Sequence, residues 1–251
     1  PAAAADFLKE LNTEQQRAVL RTDGPLLILA GAGSGKTRVI ASRIAYLIAA
    51  GLASSDQVLA VTFTNKAARE MRDRVERLLR VPCDRLWIST FHALCARLLR
   101  REAPRIGLSR DFVIYDTADQ LAAVKQALKE LDIDDRLVQP RMALSRISQA
   151  KNRMEGPKDV PAEAWDFRGT HIPRIFERYV DLLREAGALD FDDLLLRAVD
   201  LFEGSTGARE RYAERFRFVM VDEYQDTNRP QYLLVSRLAE AHRRLCVVGD
   251  P

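Results

Sequence analysis

Two short stretches of the 251-residue chain carry side chains suited to phosphate chemistry. The first, Ala30 to Thr37, reads AGAGSGKT. Glycines let main-chain N–H groups curl around phosphate oxygens without Cβ clashes, and a helix starting there adds free donors and partial positive charge. In this P-loop pattern Lys36 reaches the β- and γ-phosphates of a nucleoside triphosphate and the Thr37 hydroxyl ligates Mg²⁺. Ala30 stands where the pattern has its first Gly. The second stretch, Val219 to Asn228, reads VMVDEYQDTN and sets two carboxylates at the end of an apolar run. Successive side chains on a strand point to opposite sides, so Asp222 is assigned to the metal and Glu223 to the general base that polarises the attacking water. A ligand-free Gly turn and a solvated acidic pair are the competing readings. Each loses weight once the two stretches occur together, because a P-loop triphosphatase needs a second-strand carboxylate.

These groups need a scaffold that brings strand ends together. Pro25 to Ala30 is a continuous apolar run, the pattern of a strand buried on both faces, and a helical stretch follows from about Lys36 to Ala50. The rhythm repeats in a strand over Val58–Thr62 and a helix over Lys66–Leu79 with Ala67, Met71, Val75 and Leu78 on one face. A strand over Leu86–Ser89 then runs into a helix through Leu99, and Phe112–Tyr115 reads as one more short strand. From Thr117 to Ala186 only helical periodicity is found, punctuated by Pro140, Gly156-Pro157 and Pro161. Strand signal returns at Phe216–Val221 and Leu245–Val248. The expected fold is α/β: a parallel sheet flanked by helices, formed by residues 1–116 and 187–251, with an inserted all-helical subdomain over 117–186.

Composition bounds the rest. Hydrophobic residues make up 47% and charged residues 30%, which fits a soluble globular chain with a real core. The net charge of +3 does not by itself indicate nucleic acid, so local distribution must. Cys83, Cys95 and Cys246 are scattered singly and read as reduced, structural thiols. No apolar run reaches the ~20 residues that span a membrane, and the PAAAAD start lacks a basic n-region, so a cytoplasmic protein without a signal peptide is expected.

Six blocks in order resemble superfamily-1 DNA helicases of the UvrD/Rep/PcrA kind. They are LNTEQ (Leu11–Gln15), AGAGSGKTR (Ala30–Arg38), AVTFTNKAAREM (Ala60–Met71), STFHALC (Ser89–Cys95), LDFDDLL (Leu189–Leu195) and VDEYQDTN (Val221–Asn228). The resemblance implies a RecA-like P-loop NTPase domain with an inserted helical subdomain, using ATP and Mg²⁺ to move 3′ to 5′ along single-stranded DNA. It implies that Gln15 reads the adenine edge, that Arg38 stacks on the base and that Ala32, Gly33, Ser34, Gly35, Lys36 and Thr37 hold the phosphates. Gln225 is implied to sit at the γ-phosphate beside the catalytic pair Lys36 and Glu223, with Thr37 and Asp222 as metal ligands. Single-strand contacts are implied for Thr62, Phe63, Thr64 and Asn65, then for Thr90, Phe91 and His92. An aromatic that stacks on an unpaired base and hydroxyls or amides that bind phosphate suit that role.

Residues 136–154 hold Arg136, Arg141, Arg146, Lys151 and Arg153 and no acidic residue. Arg141, Arg146 and Lys151 are therefore expected on duplex DNA at the junction, through sequence-independent phosphate contacts. The block at Gly249–Pro251 resembles the start of a further family motif, so a second motor domain is expected outside these residues, and the 251 residues alone are expected to be nearly inactive. Repair or replication proteins are the implied partners, and a helicase–nuclease is a variant reading. Another kind of P-loop NTPase, such as a nucleotide kinase or a transporter ATPase, is disfavoured by TFTNKAAREM and the Gln15 block. A non-catalytic binding module is disfavoured by the intact Lys36, Thr37, Asp222 and Glu223.

Overall fold

A computed structural model describes residues 8–31, 33–161 and 171–251. The Ala-rich start and part of the expected helical insertion, residues 162–170, lie outside them. In chain order the strands are β1 (Leu26–Leu29), β2 (Val58–Thr62), β3 (Trp87–Thr90), β4 (Val113–Ile114), β5 (Ala188–Leu189), β6 (Phe218–Val221) and β7 (Leu245–Gly249). The helices are α1 (Thr13–Leu20), α2 (Lys36–Ala49), α3 (Asn65–Leu79), α4 (Phe91–Glu102), α5 (Thr117–Glu130), α6 (Pro140–Asn152), α7 (Ile172–Glu185), α8 (Phe191–Gly204), α9 (Thr206–Arg215) and α10 (Arg229–Ala239).

The chain divides into two compact units. The first comprises Pro1–Leu94, Ser205–Thr227 and Tyr232–Pro251, and the second Cys95–Gly204 and Asn228–Gln231. The segment 117–186 expected to be inserted lies within the second unit.

In the first unit five strands form one parallel sheet in the order β1-β7-β6-β2-β3. Parallel pairing puts the C-terminal ends of all of them on one edge, where ligands bind in sheets of this kind. The inner strands β2 and β6 are buried at every position, as their unbroken apolar sequences require. β1 departs from that expectation. Leu26 and Ile28 pack on the core, whereas Leu27 and Leu29 are 57% and 58% exposed. An apolar run identifies a strand but does not show that both of its faces are covered.

Helices lock onto this sheet through periodic apolar faces. α3 is capped by the Thr64 hydroxyl, which accepts from Ala67 N–H, and buries Ala68, Met71 and Val75 on one stripe. α2 is buried nearly all round through Val39, Ile40, Ile44 and Leu47, which fixes the axis of the helix that follows the glycine turn.

The second unit has its own core, in which α5, α6 and α7 meet through Val124, Leu128, Ile147, Phe176 and Tyr179. The strand expected at Phe112–Tyr115 exists as β4, but it does not join the main sheet. It pairs with β5 in a two-stranded parallel ribbon, Val113 opposite Ala188 and Ile114 opposite Leu189. Two-residue strands leave almost no periodic signal, so β5 is not legible in the sequence.

Candidate functional site

Three parallel strands deliver the chemistry to one edge of the first unit. β1 runs into the glycine turn and α2, β6 into Asp222 and Glu223, and β7 into Asp250. Gly35 takes a left-handed conformation with φ of 87° and serves as the N-cap of α2, a backbone shape that L side chains rarely adopt. The turn is closed by Ser34 N–H donating to Gly31 O at 3.2 Å. Ala32, expected at the phosphates, lies outside the described residues.

Lys36, on the first turn of α2, is buried to 8% exposure yet ends between two carboxylates. Its Nζ lies 2.9 Å from Glu223 and 2.5 Å from Asp250. The hydrogen bond to Asp250 raises the ammonium pKa most; burial opposes it, and Glu223 adds to the rise. Gln225 completes the ring: its amide donates to Glu223 at 2.8 Å, and its carbonyl oxygen accepts Asp250 N–H at 3.1 Å. The bond from Gln225, then that from Lys36, holds the Glu223 carboxyl below its usual range, so it is ionised at neutral pH.

Asp222 and Glu223 have different partners, Thr37 for the first and Lys36 for the second. β6 ends at Val221, and the two acids lie beyond it. Glu223 has φ of 51°, a left-handed conformation uncommon for a non-glycine residue, so the chain turns sharply straight after Asp222. Asp222 is buried, its N–H donates to Val61 O at 3.0 Å, and burial followed by the charge of Glu223 raises its carboxyl pKa. Thr37 Oγ1 donates to Asp222 Oδ2 at 3.2 Å. The Thr37 hydroxyl and the Asp222 carboxylate are hard oxygen donors side by side, the donor set that would hold a Mg²⁺.

Beside the turn, α1 begins with a reciprocal cap. Asn12 Oδ1 accepts from Gln15 N–H, and Gln15 Oε1 accepts from Asn12 N–H. The Gln15 amide also donates to Ser34 O at 3.0 Å, and Arg38 Nη2 donates to Gln15 Oε1 at 3.2 Å. Gln15, Arg38 and the glycine turn thus form one hydrogen-bonded set.

The residues expected at single-stranded DNA lie at the ends of β2 and β3, which are neighbours with Thr62 opposite Thr90. Thr64 and Asn65 are exposed, and Phe63 and His92 are half-buried. Phe91 is a correction: it is buried, with Phe63 edge-on at 5.6 Å between ring centroids, so it supports Phe63 and has no free face for a base. Thr62 and Thr90 are also buried, and their hydroxyls serve the backbone, Thr62 donating to Thr64 O and Thr90 accepting from Ala93 N–H. In the second unit, Arg141 and Arg146 are exposed on α6. Lys151 is a further correction. Its ammonium is buried between Asp190 and Asp193, at 2.7 Å from each, so it offers no charge to DNA.

Sequence reading gave Asp250 no role. Its signal was its place immediately after a strand of the same sheet, the position that also marks Asp222. Gly249 was missed for a different reason. A Cβ there would meet Gln225 Oε1 at 2.7 Å and its backbone N at 3.3 Å, a packing constraint that only the fold reveals.

The sequence matches known proteins along nearly its whole length. A family model described as UvrD/REP helicase N-terminal domain matches residues 11–251. Curated relatives include the ATP-dependent DNA helicase PcrA of Staphylococcus aureus, 48% identical over 97% of this chain and 33% of the relative. The ATP-dependent DNA helicase PcrA of Staphylococcus epidermidis is also 48% identical over 97% of this chain, and 34% of the relative is covered. The chain thus spans about one third of the length of these relatives. By the family match and by the residues gathered at the sheet edge, this chain belongs to the UvrD/REP helicase family.

Proposed function

We propose that the chain is the ATP-binding motor portion of an ATP-dependent DNA helicase or translocase that moves 3′ to 5′ on single-stranded DNA. The observation that carries this reading is the meeting of Lys36, Thr37, Asp222 and Glu223 at one sheet edge, with the oxygens of Thr37 and Asp222 side by side. Main-chain N–H groups of Gly33 to Lys36 grip the triphosphate, Arg38 stacks on the base, and the Gln15 amide reads the adenine edge. Bound Mg²⁺ supplies charge neutralisation of the phosphate oxygens. Lys36 turns from Glu223 to the phosphates, and the released Glu223 carboxylate accepts the proton of the attacking water. Gln225, bonded to both Glu223 and the Asp250 N–H, registers the γ-phosphate.

DNA binding is proposed for the side chains with available surface. Phe63 stacks on a base while Thr64, Asn65 and His92 bind the adjacent backbone. Arg141 and Arg146 contact duplex phosphate at a junction. In this reading the second compact unit contains the helical insertion of the motor, and the protein works in the cytoplasm with repair or replication factors. Among the described residues no helix is long and apolar enough to cross a membrane.

The relatives are about three times as long, so the 251 residues assayed alone are proposed to bind ATP, hydrolyse it slowly and not unwind DNA. Steady-state turnover with and without single-stranded DNA, for the chain and for Lys36→Ala, tests this. Slow turnover that Lys36→Ala removes is expected. Brisk DNA-stimulated turnover would refute the inactivity of these residues alone, and turnover indifferent to Lys36→Ala would refute the site.

A further inference from the structure

We propose that Arg43 is a positioning residue for base recognition, tying the helix that carries Gln15 to the helix that carries Lys36; this rests on the reading of Gln15 as the adenine contact. Arg43 lies on α2, two turns beyond Lys36, and is only 2% exposed. Its Nη1 donates to Ala18 O at 2.7 Å and to Val19 O at 3.3 Å. These carbonyls belong to the last turn of α1, where a helix has acceptors without internal donors and a partial negative charge. Arg43 forms no ion pair among the described residues, and its Nε has no hydrogen-bond partner there. Burial pulls its pKa down.

Burying a guanidinium without a carboxylate is costly, and an apolar side chain of similar volume beside Cys246 would avoid that cost. Conformational specificity is what the cation supplies in exchange. α1 has only eight residues, too short to hold itself in water, and of its residues only Val19 is buried. The capping box fixes its start and Arg43 its end, and between them Gln15 is held 3.0 Å from Ser34 O on the phosphate turn. Loss of the C-terminal tie leaves the phosphate grip on α2 intact and lets the base-reading amide wander.

Three ligands separate this role from general scaffolding: ATP, GTP and tripolyphosphate, each titrated calorimetrically with Mg²⁺ into the 251-residue chain. Tripolyphosphate occupies the phosphate turn and has no base. Arg43→Met is expected to weaken ATP by up to about tenfold, the scale of losing the neutral hydrogen bonds between the Gln15 amide and the base, and to leave tripolyphosphate within about twofold. The preference for ATP over GTP falls to that of Gln15→Ala, and the double variant is no worse than the singles, because both changes remove one interaction. Equal weakening of ATP and tripolyphosphate, or an intact preference for ATP, would overturn the proposal. If Gln15→Ala also keeps the preference, the adenine reading falls with it; if Gln15→Ala abolishes it, only the role of Arg43 falls. Should Arg43→Met fail to fold by circular dichroism, Arg43→Lys, which keeps the cation and reaches one carbonyl, decides. A smaller loss confined to ATP supports the tie, and parallel behaviour of ATP and tripolyphosphate overturns it.

Discussion

Lys36 and Lys151 are held alike, each ammonium between two carboxylates, in different compact units. Their carboxylates differ. Those of Lys36, Glu223 and Asp250, are 39% and 45% exposed, whereas those of Lys151, Asp190 and Asp193, are 2% and 18% exposed. Tyr179 adds a hydroxyl to Asp190 at 2.8 Å and its ring face to Lys151 at 5.2 Å. Partners that water already reaches are exchangeable for phosphate oxygens at modest cost, and partners sealed from water are not. On the proposed function, the same grouping of charges serves as a site in one unit and a structural core in the other, and solvent access decides which.

The widest difference is expected from removing the lysines. Burial alone pulls the Lys151 pKa down, and the two carboxylates more than offset it. Lys151→Met leaves both acids in the interior and is expected to cost about 3–5 kcal/mol in urea unfolding. A loss under about 1 kcal/mol, the range of exposed ion pairs, would erase the distinction.

A smaller effect separates the two acids of the buried cluster. Burial, then the Asp190 charge, pushes the Asp193 carboxyl up to about 6 despite Lys151. Unfolded, it titrates near its ordinary 3.8, so between those values the native state binds more protons and stability falls as pH rises. Asp193→Asn is expected to flatten that decline, by about 1–3 kcal/mol across pH 4 to 6, with its side-chain oxygen still able to cap Asp190 N–H. Asp190 has its pKa lowered by Lys151 against its own burial, so Asp190→Asn is expected to destabilise at neutral pH. Unfolding curves at several pH values check both, and an unchanged slope for Asp193→Asn would contradict the assignment.

The smallest change is expected in the open cluster. Gly249→Ala places a methyl group against Gln225 Oε1 and its backbone N, so the side chain must shift from its bonds to Glu223 and Asp250 N–H. ATP turnover is expected to fall about threefold with ATP affinity nearly unchanged, the pattern of an interaction made in the transition state. An affinity loss without a turnover loss would place Gly249 in ground-state binding instead.

Much of the open site was legible because its chemistry imposes local sequence. A phosphate turn must place glycines, Lys36 and Thr37 within one loop, and Asp222 must follow an apolar strand. The buried cluster was not legible. Lys151 meets acids 39 and 42 residues away, and nothing in the spacing of Arg141, Arg146 and Lys151 distinguishes two exposed cations from a buried one. Likewise the apolar run of β1 announces a strand but not the uncovered face that exposes Leu27 and Leu29. Phe63 and Phe91 each follow a strand-end Thr, yet packing leaves one half-buried and buries the other. Local chemistry is written along the chain, and burial is decided by residues far along it.

On the proposed function, the Lys36 cluster opens to a triphosphate without being needed for the fold. Calorimetric titration of MgATP into the chain and into Lys36→Ala tests it most directly. Saturable binding by the chain is expected, weakened about 100-fold in Lys36→Ala, the scale of removing one preorganised charged donor, with an unchanged unfolding midpoint. Equal affinity in the two proteins, or a Lys36→Ala chain as destabilised as Lys151→Met, would contradict it.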